Sequence, residues 1–127
     1  MLACTYDEFL TRVIDDGIAA ANADYAQPFQ APMRAGAISG FEACRSCTPA
    51  ELVDLLTAKN RECIPARDEP IEDYWRIRCA ALEIEWVCNV VSAFLVNEGQ
   101  PPLTGYLPTA RGMLKAAEII GVAEQPF

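Results

Sequence analysis

The 127-residue sequence contains no histidine. Its absence excludes hydrolases that pair a serine or cysteine nucleophile with a histidine base, and it excludes metal sites that need imidazole ligands. Basic residues are also few, because 10 Lys and Arg stand against 18 Asp and Glu, which gives a net charge of −8. Since nucleic-acid binding requires clustered Lys and Arg for the phosphates, we do not expect direct nucleic-acid binding.

The sequence also lacks an apolar run long enough to cross a membrane. The longest run, residues 86–96, is interrupted by Asn89 and Ser92 and reaches about half of the ~20 residues that a bilayer requires. No targeting signal is visible at the N-terminus, where Asp7 and Glu8 interrupt the first apolar residues. We therefore expect a cytosolic protein without a membrane span.

The clearest local signals in the sequence are those that mark the starts of helices. Thr5 with Glu8 and Thr48 with Glu51 have the capping-box spacing, and no segment shows the polar–apolar alternation of a half-buried strand. The sequence therefore predicts an all-α fold: residues 1–127 form a single compact five-helix domain packed around a long central fourth helix. The predicted helices cover about residues 5–24, 33–44, 49–63, 70–97 and 109–120.

Apolar spacing predicts which faces of these helices are buried. On the first helix the predicted buried face comprises Phe9, Val13, Ile14, Gly17 or Ile18, and Ala21. The last helix should end at Gly121, and in the second helix Gly36 and Gly40 either weaken the helix or mark a close helix contact. Trp75 is expected to pack in the core, whereas Tyr74 lies off the apolar stripe and is expected to be exposed. The stripe on the fourth helix comprises Ile71, Trp75, Cys79, Leu82 and Trp86, and the apolar face of the last helix comprises Met113, Leu114, Ala117 and Ile120.

Six cysteines include one C-x-x-C pair, Cys44 and Cys47. With Cys63, this pair would be the basis of a thiol-redox or zinc-binding site. However, no strand pattern precedes Cys44 and no second pair follows at zinc-site spacing. Packing is the simpler explanation for Cys4 and Cys47, because each precedes an N-cap residue as in a hydrophobic staple.

Paired carboxylates could still support acid–base catalysis without histidine. Glu83 and Glu85 point away from each other, about 200° apart around a helix, so they do not form a catalytic pair. A pair from two helices, such as Asp15 with Glu83, stays open. Since nothing in the sequence favours such a pair, we predict a protein that is not an enzyme and has no cofactor.

The densest acidic cluster lies at the start of the fourth helix. Four acids fall within six residues, and an aromatic pair follows them directly. Favourable placement at the positive end of the helix dipole explains some of these acids. The alternative, which we favour as the candidate site, is an acidic, aromatic-edged surface that binds a basic protein surface. The predicted partner-binding residues are Asp68, Glu69, Glu72, Asp73 and Tyr74.

Four segments resemble parts of small uncharacterised proteins of phages and mobile elements. They are Gly40-Phe41-Glu42-Ala43-Cys44, Asp73-Tyr74-Trp75-Arg76, Glu85-Trp86-Val87-Cys88-Asn89 and Pro108-Thr109-Ala110-Arg111-Gly112. The resemblance covers residues 36–122 and implies a cargo protein of mobile DNA. Short acidic proteins of such elements are similar to anti-CRISPR and related anti-defence inhibitors, which bind host complexes without catalysis. No functional residue can be carried over from that resemblance.

The leading prediction is thus a non-enzymatic binding module, and its specific form is an anti-defence inhibitor in the cytoplasm of a bacterial host. Its partner would be a host protein or nucleoprotein complex with a basic surface. Two alternatives remain: a thiol or zinc protein built on Cys44, Cys47 and Cys63, and a helical oligomerisation module such as a homodimer.

Overall fold

A computed structural model describes residues 4–63, 71–103 and 105–124 of the chain. These residues form α-helices and no strand, which confirms the predicted all-α fold. The helices are α1 (Tyr6–Asp24), α2 (Ala31–Ala43), α3 (Pro49–Glu62), α4 (Ile71–Asn97) and α5 (Ala110–Glu124), and a 3₁₀ turn at Pro28–Gln30 precedes α2. The helix boundaries lie within two residues of the predicted ones except at the end of α5, which continues past Gly121.

Helix α4 is the axis of the fold. It contacts the other four helices, and its most extensive contact is with α2. Its second half is buried nearly all round, from Val87 to Leu95 with only Asn89 partly accessible. By length and hydropathy α4 could span a membrane, but 67% of its most apolar window is buried inside the protein. Contact with the other helices therefore accounts for its apolar composition.

The N-terminal caps predicted from sequence are present at α1 and α3. The Glu51 amide donates to the Thr48 hydroxyl at 3.2 Å, and the Thr48 amide donates to the Glu51 carboxylate at 2.9 Å, so this capping box is complete. At α1 the Glu8 amide donates to the Thr5 hydroxyl at 3.1 Å, but the Glu8 carboxylate accepts from that hydroxyl rather than from the Thr5 amide.

The two glycines of α2 bring it into backbone contact with α4, so the close-contact alternative is the correct one. A Cβ added to Gly40 would lie 2.6 Å from the Ala80 carbonyl oxygen, and one added to Gly36 would collide with the Arg76 carbonyl. Because any larger residue would push the helices apart, these glycines set the distance between α2 and α4.

The core joins residues of all five helices, and the α1 face is the one that its apolar spacing predicted. Phe9 of α1 stacks on Phe94 of α4 with ring centroids 4.5 Å apart. The buried Ser92 hydroxyl accepts a 3.1 Å hydrogen bond from the Leu103 amide, which ties the loop before α5 to α4. The buried residues of α1 are Phe9, Leu10, Val13, Ile14, Gly17 and Ala21.

The predicted apolar face of α5 is wrong for three of its four residues. Met113 and Leu114 are 52% and 72% exposed, and Ala117 is exposed as well, whereas Ile120 is buried. The buried side of α5 carries Gly112, Ala116, Ile119 and Ile120. A Cβ on Gly112 would lie 3.2 Å from the Asn89 carbonyl oxygen, so α5 approaches the α4 backbone closely at this glycine.

Candidate functional site on helix α4

The predicted acidic site lies only partly within the described residues. Asp68 and Glu69 lie outside them, whereas Glu72 and Asp73 form the first turn of α4. Glu72 is exposed. Asp73 is half-buried, and its carboxylate forms an ion pair with the Arg76 guanidinium group at 2.6 Å. Arg76 therefore partly neutralises the acidic turn and leaves Glu72 as its accessible carboxylate.

The aromatic pair beside the acids is arranged the opposite way from the prediction. Tyr74 is half-buried, while Trp75 is 45% exposed, and their rings meet edge to face with centroids 5.4 Å apart. The reason is the α2–α4 contact, which covers the side of α4 that carries Arg76 and Ala80. At about 100° per residue, Trp75 points well away from that contact.

Trp75 belongs to an exposed apolar row that we call the α4 stripe, formed by Ile71, Trp75 and Leu82. These residues fall within about 40° of one another around the helix axis. Ile71 is 71% exposed and Leu82 is 43% exposed, so three of the five residues predicted to face the core face solvent instead. The other two follow the prediction better, since Cys79 is buried and Trp86 is half-buried against the core. Contiguous exposed apolar residues, and an accessible tryptophan in particular, are typical of protein-interaction surfaces.

The α4 stripe leads into a cavity of about 380 Å³ between α1, α2, α4 and α5, which we call the α1–α4 groove. Leu82 belongs to both surfaces and connects them. Small α1 residues form one side of the groove, and aromatic side chains line the rest together with charged groups of both signs. The apolar and aromatic lining consists of Val13, Gly17, Ala20, Ala21, Tyr25, Phe41, Leu82 and Trp86, and the charged lining of Asp16, Asp24, Glu83, Arg111 and Lys115.

The two ends of the groove differ in charge balance. At one end the Asp16 carboxylate accepts from Lys115 at 2.7 Å and from Arg12 at 3.0 Å. Partial burial opposes ionisation there, but these hydrogen bonds outweigh it and lower the pKa of Asp16. Asp16 is thus a neutralised carboxylate.

The other end of the groove carries two carboxylates, Asp24 and Glu83. Burial raises the pKa of Glu83, and the nearby Asp24 carboxylate raises it further. Among the described residues no lysine or arginine forms an ion pair with either carboxylate. Asp15, which the sequence left open as a partner for Glu83, is instead ion-paired with Arg45 at 3.1 Å.

The described residues do not group Cys44, Cys47 and Cys63 as the alternative zinc site would require. Cys44, Cys47 and Cys63 are free thiols, and no group of three or more metal-ligating side chains is present in the described parts of the chain. Cys44 is buried, and burial raises its pKa; the Cys63 thiol donates to the Ile77 carbonyl at 3.7 Å. The Cys47 carbonyl accepts a 2.7 Å hydrogen bond from the Tyr6 hydroxyl. A buried thiol of raised pKa is a poor nucleophile and a poor metal ligand. The surroundings of Cys44 therefore favour a role in core packing.

In comparisons with known proteins, no family model matches the chain, and no curated protein or solved structure is significantly similar to it. Function therefore has to be inferred from the surfaces described above.

Sequence reasoning missed the groove because its lining residues come from four helices, α1, α2, α4 and α5. One signal was available on α1, where Asp16, Ala20 and Asp24 repeat at i, i+4 and thus share one face. That face carries small residues between two acids, which is unusual for a solvated surface. The contribution of Glu83 and Trp86 depends on how α4 is rotated, and the apolar spacing of α4 predicted the wrong rotation.

Proposed function

We propose that the protein is a non-enzymatic binding module that holds a partner protein on the α4 stripe. The observation that carries this proposal is the exposure of Trp75 between Ile71 and Leu82 on the surface of a helix whose other half is buried. Tryptophan is enriched among the few interface residues that supply most of the binding free energy. An exposed row of this kind costs solubility unless a partner covers it.

The partner that this surface fits is basic. The chain has a net charge of −8, and Glu72 is an accessible carboxylate one residue from the stripe. Opposite charge speeds the encounter of two proteins and orients them, while apolar contacts in the centre supply affinity. The specific form we propose is an anti-defence inhibitor that binds a basic, nucleic-acid-handling surface of a host complex in the bacterial cytoplasm. Net charge and the resemblance of four sequence segments to mobile-element proteins support this form.

The proposal is tested with single aromatic substitutions in partner capture. The full chain is immobilised, a partner is captured from host lysate and identified, and its affinity is then measured for purified variants. We expect Trp75→Ala to weaken binding by at least about 30-fold, as loss of a central tryptophan does. Phe29→Ala is the matched control, because Phe29 is an aromatic residue that is 76% exposed on the 3₁₀ turn, outside the stripe.

Charge variants test the acidic component separately. A quadruple neutralisation, Asp68→Asn with Glu69→Gln, Glu72→Gln and Asp73→Asn, should slow association and reduce its salt dependence. Circular dichroism checks that the helices remain. If both Trp75→Ala and the quadruple variant capture the partner as well as the parent protein does, the α4 stripe is not the binding surface.

Self-association is a second candidate function, and the outward face of α5 favours it. Leu114 and Met113 are exposed there, and Leu107 in the preceding loop is 78% exposed. An apolar face of this kind on a surface helix is typical of an interface between helices. Light scattering of the parent protein and of Leu114→Lys tests it, and a monomeric parent protein at high concentration would exclude it.

A further inference from the structure

We infer that the α1–α4 groove receives an arginine side chain of the partner, inserted next to the α4 stripe. This inference rests on the proposed function, because the groove continues the same surface. Leu82 lies in both, and Trp86 follows it one helical turn later on the groove wall. A partner that covers Ile71, Trp75 and Leu82 therefore meets the mouth of the groove.

The size and lining of the groove fit one long, flat side chain. Its volume of about 380 Å³ falls in the lower part of the range for ligand pockets. Ala20 and Ala21 are small residues on the α1 side of the groove, the Phe41 ring packs against Gly17, and Trp86 and Tyr25 provide further aromatic surface. The guanidinium group of an arginine side chain stacks on aromatic rings, and the methylene groups of the side chain pack against them as well. The ammonium group of lysine stacks less well.

The charges of the groove select a cation at one end. Asp24 and Glu83 come from different helices and both line the groove, where burial and the Asp24 carboxylate raise the pKa of Glu83. No described lysine or arginine forms an ion pair with them, although Lys115 and Arg12 satisfy Asp16 at the other end. Asp16 and Asp24 are eight residues apart on α1, about 12 Å along the helix axis. A guanidinium group, with five donors in a planar fork, can bind two carboxylates at once.

Arg111 gives the inference a second, opposite test. It lines the groove one helical turn before Lys115, and in the described residues it has no carboxylate partner. Its charge repels an incoming guanidinium group, so its removal should strengthen binding of a cation while removal of Glu83 should weaken it. A purely structural role for these residues would not produce opposite signs.

The experiment uses the full-length chain and a blocked tripeptide, acetyl-Gly-Arg-Gly-amide. The sequence has two tryptophans, Trp75 and Trp86, so Trp75→Phe leaves Trp86 as the only tryptophan reporter in the groove. Titration of its fluorescence should show saturable binding of the arginine peptide. The peptide with citrulline in place of arginine is neutral and of the same shape, and should not bind.

Variants in the Trp75→Phe background decide the assignment. We expect Glu83→Gln and Asp24→Asn each to weaken binding about tenfold, as loss of a charge-assisted hydrogen bond does, and Arg111→Gln to strengthen it. Glu85→Gln is the matched control, because Glu85 is exposed on the same helix two residues along and loses the same charge. Thermal unfolding of each variant checks that it is folded.

Three results would overturn the inference: no saturable binding of the arginine peptide, equal binding of the citrulline peptide, or an unchanged affinity in Glu83→Gln. Equal binding of the corresponding lysine peptide would overturn the choice of arginine. The proposed function fails separately. If Trp75→Ala loses the captured partner but Glu83→Gln keeps it at full affinity, the α4 stripe binds the partner and the groove does not.

Discussion

Gly40→Ala is the substitution for which the structure gives the clearest expectation, because it tests how closely α2 and α4 approach. The new methyl carbon would lie 2.6 Å from the Ala80 carbonyl oxygen and 2.9 Å from the Ala80 Cα. Both neighbours are backbone atoms of the buried central helix, which cannot rotate away as a side chain can. The two helices would have to separate by several tenths of an ångström along a contact that also includes Gly36.

The expected loss follows from two opposing effects. Alanine is favoured over glycine in a helix interior by about 1 kcal/mol, which stabilises the variant. Overpacking a close contact costs about 1–3 kcal/mol, and a backbone obstacle places Gly40→Ala at the upper end. The free energy of unfolding should therefore fall by about 2 kcal/mol, which corresponds to a Tm lower by about 6–10 °C for a chain of this length. Urea and thermal unfolding followed by circular dichroism at 222 nm measure both quantities.

Gly121→Ala is the matched control for this experiment. Gly121 is also a helical glycine, but no heavy atom lies within 4 Å of the position that its Cβ would occupy. Only the helix-propensity effect applies there, so the variant should gain up to about 1 kcal/mol. If Gly40→Ala proves as stable as the parent protein while Gly121→Ala behaves as expected, the close α2–α4 contact is incorrect.

Two further predictions follow from the ionisable groups. Burial and the Asp24 carboxylate raise the pKa of Glu83 in the folded protein above its ordinary value of 4.5. The contribution of Glu83 to the free energy of unfolding is therefore fully present below pH 4.5, where the side chain is protonated. This contribution is lost as the pH rises through the raised pKa. Glu83→Gln should therefore be more stable than the parent protein at pH 7, with a smaller difference at pH 4; pH-dependent urea unfolding that shows no change in this difference would contradict the raised pKa. For the thiols, burial raises the pKa of Cys88 to about 12 and shields Cys44, so native protein at pH 8 should react at the more accessible Cys63 well before either of them. Mass spectrometry after timed alkylation measures the order of labelling, and fast modification of Cys44 would revive a redox function.

The α4 stripe and the groove share an energetic property that supports their assignment as functional surfaces. Trp75 is exposed, so it contributes little to the stability of the fold. The half-buried Glu83, in the same groove as Asp24, disfavours folding when it is ionised. Surface residues that reduce the stability of the fold are typical of binding sites, where they contribute binding free energy once a partner is present. Both features are local, since the core around Phe9 and Phe94 is closely packed.

Much of the secondary structure could be predicted because its signals are local. The Thr48–Glu51 box, Pro49 at the first helical position and the glycine after α4 act within a few residues of the chain. Amphipathic spacing also predicted the buried face of α1 correctly, because α1 carries one apolar face and polar residues elsewhere.

Spacing failed on α4 and α5 because each helix carries apolar residues on more than one side. On α4 the spacing cannot distinguish the row that contains Trp75 from the side that contains Ala80, and the larger residues suggested the wrong one. On α5 the same preference selected Leu114 over Ala116. At these positions the smaller residues, Ala80 and Ala116, are buried, whereas Trp75 and Leu114 are exposed.

The sequence by itself determined the fold class, the helix starts, the acidic character and the exclusion of histidine chemistry, because each depends on composition or on residues near in the chain. Only the tertiary structure decided which faces remain accessible. Trp75 is exposed, Tyr74 is half-buried, and Asp24 and Glu83, which come from different helices, line the same groove. The physical reason is that helix rotation is fixed by packing between elements distant in sequence, and in this protein the glycines of α2 set that rotation against α4.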